Sequence, residues 1–156
     1  MIVSKLIKSI FGATVLGIAM IGASQAADFG TAAEAEAMAK KAVAFIKANG
    51  PEKSAEEFTN GKQFKDRDLY ISYVDFSGKM LAHGFNPKLV GKGLIDLKDP
   101  DGKFMVRMAI DVAKTKGHGW TENYKFKNPT TDKLQEKAMY VERTGDAYIG
   151  VGIYKN

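Results

Sequence analysis

The stretch Leu69-Tyr70-Ile71-Ser72-Tyr73-Val74-Asp75-Phe76, followed by Ser77-Gly78 and then Lys79-Met80-Leu81-Ala82-His83, decides the fold class. Its first part is rich in β-branched and aromatic residues over strand length, Ser77-Gly78 is turn chemistry, and the apolar return makes a β-hairpin. Successive side chains on a strand point to opposite faces, so Tyr70, Ser72 and Val74 share one face and Leu69, Ile71 and Tyr73 the other. A face that carries a phenol and a hydroxyl among apolar neighbours suits a small polar ligand.

Upstream of the hairpin the period changes to that of a helix. Thr31-Ala32-Ala33-Glu34 is a capping box, and Ala35, Met38, Ala42, Phe45 and Ile46 recur at helical spacing until Gly50-Pro51 ends the run. Ser54-Ala55-Glu56-Glu57 repeats the capping signature and predicts a short second helix that stops near Gly61. Downstream, Gly84 to Gly93 with Asn86-Pro87 is a loop crossing one face of the sheet, and Asp99-Pro100-Asp101-Gly102 is a turn. A third helix is expected over Phe104 to Ala113, closed by Gly117. Strands are expected over Trp120 to Lys127, Leu134 to Arg143 and Ala147 to Tyr154, separated by Asn128-Pro129-Thr130-Thr131-Asp132 and Thr144-Gly145-Asp146. Sequential antiparallel strands segregated from helices make an α+β domain with one five-stranded sheet.

The ends and the composition bound the setting. Lys5 and Lys8 precede an apolar run from Ile10 to Ile21, and Ala23-Ser24-Gln25-Ala26 supplies the small residues of a cleavage site. Residues 1–26 therefore read as an export signal cut after Ala26, with an uncleaved membrane anchor as the alternative; the cut leaves one domain over 27–156 in the periplasm or secreted, with no membrane span. The formal net charge of +5 includes both leader lysines, and the remaining basic residues are spread among acids, so nucleic acid is not an expected partner. With no cysteine there is no disulfide framework, thiolate metal site or thiol nucleophile.

Catalytic and metal motifs fail one by one. His83 and His118 lie on different elements without a partner at ligand spacing, which argues against zinc. Gly91-Lys92-Gly93 lacks the rest of a phosphate-binding loop. Ile110 stands where a calcium loop starting at Asp99 would need its bidentate Glu. No Gly-x-Ser-x-Gly elbow occurs, and nothing recommends a carboxylate pair. A non-enzymatic binder without cofactor is the expectation. The polar and aromatic groups that survive are Tyr70, Ser72, His83, Asn86, Arg107, Trp120, Lys137 and Tyr140.

Leu69-Tyr70-Ile71, Asp75 with Gly78, Leu81-Ala82-His83, Leu89-Val90-Gly91-Lys92, Leu97 to Gly102, Gly119-Trp120, Asn128-Pro129, Lys137 to Val141 and Val151-Gly152-Ile153-Tyr154 together resemble the single Cache domain. That module is the extracytoplasmic sensor of bacterial chemoreceptors and histidine kinases, and the resemblance runs from about Thr31 to Lys155. It implies a PAS-like fold, with a five-stranded antiparallel sheet, a long N-terminal helix and a covering loop-helix segment. It also implies small-molecule binding, often of short carboxylates, between the sheet and its covering loops. Carried over by position, the pocket residues are Tyr70, His83, Trp120, Lys137 and Tyr140. Arg107 on the covering helix and Ser72 beside Tyr70 are added from the residues themselves.

Two departures from the family pattern stand out. Ser72 replaces a bulky apolar residue, and Trp120 to Tyr124 is one residue longer, which implies a bulge or a flipped face. Trp120 rather than Tyr124 is thus expected at the pocket. His83, Lys137 and the tyrosine hydroxyls can all donate to an anion, so the ligand expected is a short organic acid. With the last strand followed directly by Asn156, the signal would pass to a separate membrane receptor or histidine kinase. The alternatives are an accessory subunit of an envelope complex and a small periplasmic enzyme using the same cleft. Turnover lost in His83→Ala would mark the enzyme, and co-purification without ligand binding the subunit.

Overall fold

The structure is a computed structural model that describes residues Asp28 to Lys155, so the expected leader and its cut at Ala26 lie outside the described residues. Helix α1 spans Ala32–Asn49 and starts as the capping box requires: Thr31 Oγ1 accepts from Glu34 N at 3.3 Å, and Glu34 Oε2 accepts from Thr31 N at 2.8 Å. The Thr31 N–H and the Arg67 guanidinium, 2.7 Å away, hold the Glu34 carboxyl down at about 2. Helix α2 covers Pro51–Asn60. It begins four residues earlier than the Ser54 signature implies, because Pro51 is preorganised for the first helical position and Gly50 turns the chain at φ 82°. Ser54 sits inside the helix with its hydroxyl donating back to Gly50 O at 2.6 Å.

The strands are β1 (Lys65–Asp66), β2 (Leu69–Asp75), β3 (Met80–His83), β4 (His118–Trp120), β5 (Tyr124–Lys127), β6 (Leu134–Thr144) and β7 (Ala147–Lys155). Helix α3 covers Met105–Thr115, and Pro87–Leu89 forms one 3-10 turn in the covering loop. Strand β3 lies beside β2, then come β7 and β6, all antiparallel, with β4 and β5 end to end along the free edge of β6. These make the five lanes expected, and β1 adds a tight hairpin to the start of β2.

The lane predicted as one strand over Trp120 to Lys127 is broken in two. Trp120 pairs with Tyr140 and Tyr124 with Lys137, so four steps on one chain face three on the other. The additional residue is a bulge, and Thr121 bridges the gap, its N–H donating to Met139 O at 2.9 Å and its hydroxyl accepting from Met139 N at 3.1 Å.

The sheet divides the interior. On one side Leu69, Ile71, Tyr73, Tyr140, Ile149 and Val151 pack against Ala35, Ala39, Ala42 and Ile46 of α1 and Phe58 of α2. On the other side Val74, Met80, Met139, Val141 and Tyr148 meet Val106, Ala109, Ile110 and Ala113 of α3. The Asp99 turn fastens the covering segment to β5: its two carboxylate oxygens accept from Asp101 N, Lys103 N and Lys125 N at 2.8–3.0 Å.

Candidate ligand-binding site

The face of the sheet under α3 and the covering loop is not fully packed. A cavity of about 50 Å³ remains there, floored by Tyr70 and Ser72 of β2, Lys137 and Met139 of β6 and Tyr148 of β7. Met80, His83, Leu89, Leu94, Leu97, Met105, Val106, Tyr124 and Phe126 complete its wall. Two glycines on β7 create the floor. A Cβ at Gly152 would strike Lys137 Cε, and one at Gly150 would strike Met139 Sδ, so both long side chains lie across bare backbone.

Lying over Gly152 carries the Lys137 ammonium from β6 across β7 to the phenol of β2. Nζ donates to Tyr70 Oη at 2.7 Å and to Tyr154 Oη at 3.2 Å. Tyr154 donates its own proton to Lys127 O at 3.1 Å, which leaves its oxygen to accept from Lys137 and, at 3.2 Å, from Tyr70. Three rings surround the ammonium, with centroids 4.5 Å (Tyr70), 4.7 Å (Tyr154) and 5.0 Å (Phe126) away. Burial, then Tyr70, push the Tyr154 phenol far up, so it stays protonated. Lys137 is 2% exposed, yet among the described residues no carboxylate pairs with it. An ammonium has three donors, and two are used among the described residues.

His83 closes the β3 end. Its Nδ1 accepts from Phe85 N at 3.2 Å and Asn86 N at 2.9 Å, so that nitrogen carries no proton and Nε2 holds the ring's only N–H. Burial first, then the Lys137 and Lys65 charges, lower its pKa to about 4, so the ring is neutral near pH 7. An outer cleft of about 390 Å³ adjoins the cavity; Tyr70, His83, Leu89 and Phe126 line both, and Phe85, Asn86 and the Lys127–Asp132 ion pair (2.6 Å) line the outer part.

Of the eight residues singled out in the sequence, Tyr70, Ser72, His83 and Lys137 meet at the cavity, Asn86 lines the outer cleft, and three others line neither. Tyr140 points to the α1 side, because strand alternation puts it opposite in parity to Lys137 and Met139. There its hydroxyl donates to Glu142 Oε2 at 3.0 Å, and burial with that carboxylate pushes it up to about 12. Trp120 follows Tyr140, 5.5 Å from its ring, with Nε1 donating to Glu36 Oε1 at 3.1 Å. The bulge then reverses the face, so Tyr124 lines the cavity and Trp120 does not, opposite to expectation. Arg107 lies off the buried stripe of α3 formed by Val106, Ala109, Ile110 and Ala113; it is exposed, ion-paired with Asp96 and stacked 4.1 Å from the Phe104 ring.

Tyr148 and Tyr154 were not anticipated. They share the β7 face with Gly150 and Gly152, and the paired glycines were the signal that this face lies against long side chains.

The family profile of the Single Cache domain 2 matches residues 16–156. The methyl-accepting chemotaxis protein McpP of Pseudomonas putida is 30% identical over 91 residues, covering 57% of this chain and 16% of that protein. The sensor histidine kinase MctS of Rhizobium johnstonii is 28% identical over 90 residues, 56% of this chain and 19% of the kinase. The chain thus spans under a fifth of either relative. A methyl-accepting chemotaxis protein structure from Vibrio parahaemolyticus superposes with TM-score 0.66 at 28% identity, covering 78% of this chain and 86% of that one. A Cache chemosensory domain described for carboxylic acid recognition gives TM-score 0.62 at 24% identity, over 78% and 86%, a likeness of fold.

Proposed function

The chain belongs to the Single Cache domain 2 family, and on that premise we propose that it is an exported sensor domain that binds a short monocarboxylate at Lys137. The observation that carries this is the Lys137 ammonium, enclosed by three aromatic rings with a spare donor and, among the described residues, no carboxylate within ion-pair distance. Withdrawing a cation from water costs several kcal/mol, and an anionic ligand is the partner that would offset this. Tyr70 adds a phenol at the same place.

The cavity sets the size. A water needs about 10–15 Å³ of such volume, so about 50 Å³ takes on the order of four non-hydrogen atoms without rearrangement. Four to six atoms at about 1.5 kcal/mol each give at most about 6–9 kcal/mol, hence micromolar affinity or weaker. Such affinity suits a sensor of a fluctuating nutrient. Lys5, Lys8 and the apolar run before Ala26 support export to the periplasm, and a membrane receptor or histidine kinase is the class of partner that would read the bound state.

Calorimetry with acetate, propionate, lactate and pyruvate tests the reading. Saturable binding of at least one acid, lost in Lys137→Met, is expected; silence from all four would overturn it.

A further inference from the structure

The cavity has a second polar end that the carboxylate does not use. On the cavity face of β7 the residues run Tyr148, Gly150, Gly152, Tyr154, and their neighbours show which chemistry lies at which end. Lys137 pairs with Tyr154, at the cationic end, whereas Ser72 pairs with Gly150 and Val74 with Tyr148. Tyr124, opposite Lys137 on β5, reaches the cavity from the side.

The hydroxyls of Ser72, Tyr124 and Tyr148 make no hydrogen bond among the described residues, although these residues are only 6%, 4% and 1% exposed. Side-chain polar atoms that are both enclosed and without a partner number two among the described residues, Asp68 Oδ2 and Asn128 Nδ2. The three hydroxyl oxygens therefore open onto free volume, and that volume is the cavity they line. A buried hydroxyl without a partner costs about 1–3 kcal/mol, so three of them facing one small space call for an oxygen on the ligand. Apolar neighbours such as Met105, Val106 and Met139 cannot supply it.

We propose that the Ser72–Tyr148 end of the cavity selects short monocarboxylates bearing a hydroxyl or oxo oxygen next to the carboxylate over alkanoates of equal length. This rests on the carboxylate reading of Lys137 and extends it. The carboxylate meets Lys137 and Tyr70, and the substituent oxygen replaces the missing partner of Ser72 and the tyrosine hydroxyls. An alkanoate puts a methyl or methylene there and leaves the hydroxyls unpaired, the situation in which polar sites discriminate most.

Calorimetry compares lactate and pyruvate, both oxygenated at carbon 2, with propionate on the intact chain and on Ser72→Ala and Tyr148→Phe. At least one oxygenated acid should bind about tenfold or more tightly than propionate. In one or both variants that ratio should fall to within about threefold, with a urea unfolding transition reporting that the variant is folded. Propionate binding as tightly as both oxygenated acids overturns the inference and leaves the carboxylate reading intact. A preference that survives both substitutions also overturns it, since other groups then hold the oxygen. If no acid binds, the premise falls and the inference with it.

Discussion

Lys137→Met separates a residue kept for binding from one kept for folding. Methionine is unbranched, so it can follow the lysine stem across Gly152 while deleting the charge and its donors. In the free protein the loss comprises two charge-assisted hydrogen bonds, each about 1.5–3 kcal/mol, and contacts with three rings at about 0.5–2 kcal/mol each. Against this stands the desolvation of an ammonium with no counter-ion, several kcal/mol that the variant no longer bears. The phenols are not stranded either, because Tyr154 still donates to Lys127 O and can accept from Tyr70. The opposing magnitudes leave the free variant within about 2 kcal/mol of the parent in urea unfolding. Binding has no such offset. Losing one charge-assisted bond to a carboxylate weakens it about 10- to 150-fold by calorimetry. A variant destabilised by more than about 4 kcal/mol whose folded molecules bind acids at parental affinity would refute the reasoning and make Lys137 structural.

His83 gives the fold a pH dependence whose sign follows from its depressed pKa. The folded ring titrates near 4 and the unfolded one near 6.5, so its contribution is full above about 6.5 and is lost as pH falls toward 4. The total is about 3 kcal/mol, read from urea midpoints across that window, and His83→Asn should flatten it; an unchanged slope assigns it to another group. Trp120→Phe and Tyr140→Phe, on the α1 side of the sheet, should leave acid affinity within about twofold by calorimetry, and a tenfold loss would place them at the site after all.

The strand and helix order was readable because each boundary carried its own local chemistry: the Thr31–Glu34 box, the Gly50-Pro51 stop, the Ser77-Gly78 turn. Where two signals competed, the weaker one misled. Ser54 with Glu57 imitates a cap, but Pro51 already satisfies the first helical position. Around the cavity, residue type picked out Tyr70, Ser72, His83 and Lys137 among the lining, while face was read less fully. Lys137 and Tyr140 differ by an odd number of residues on one strand and cannot point the same way, a conclusion available from the period of two alone. The reversal between Trp120 and Tyr124 was foreseen as a bulge, but which side of it faced the cavity depends on where α1 docks. Docking is a tertiary fact that local spacing does not encode. Arg107 likewise sits between two buried stripe positions of α3, and the stripe itself excludes it.

The alternation of faces along β2 and β6 has a consequence for how such a domain can diverge. Positions 69, 71 and 73 pack against the helix layer, and positions 70 and 72 line the cavity; on β6 the same split separates 140 from 137 and 139. On the proposed reading, a substitution on the first set bears chiefly on whether the chain folds, and one on the second on what it recognises as well. Neighbouring residues can then answer to different selection pressures, and a lineage can exchange its ligand by drifting at every second residue while its architecture is inherited unchanged.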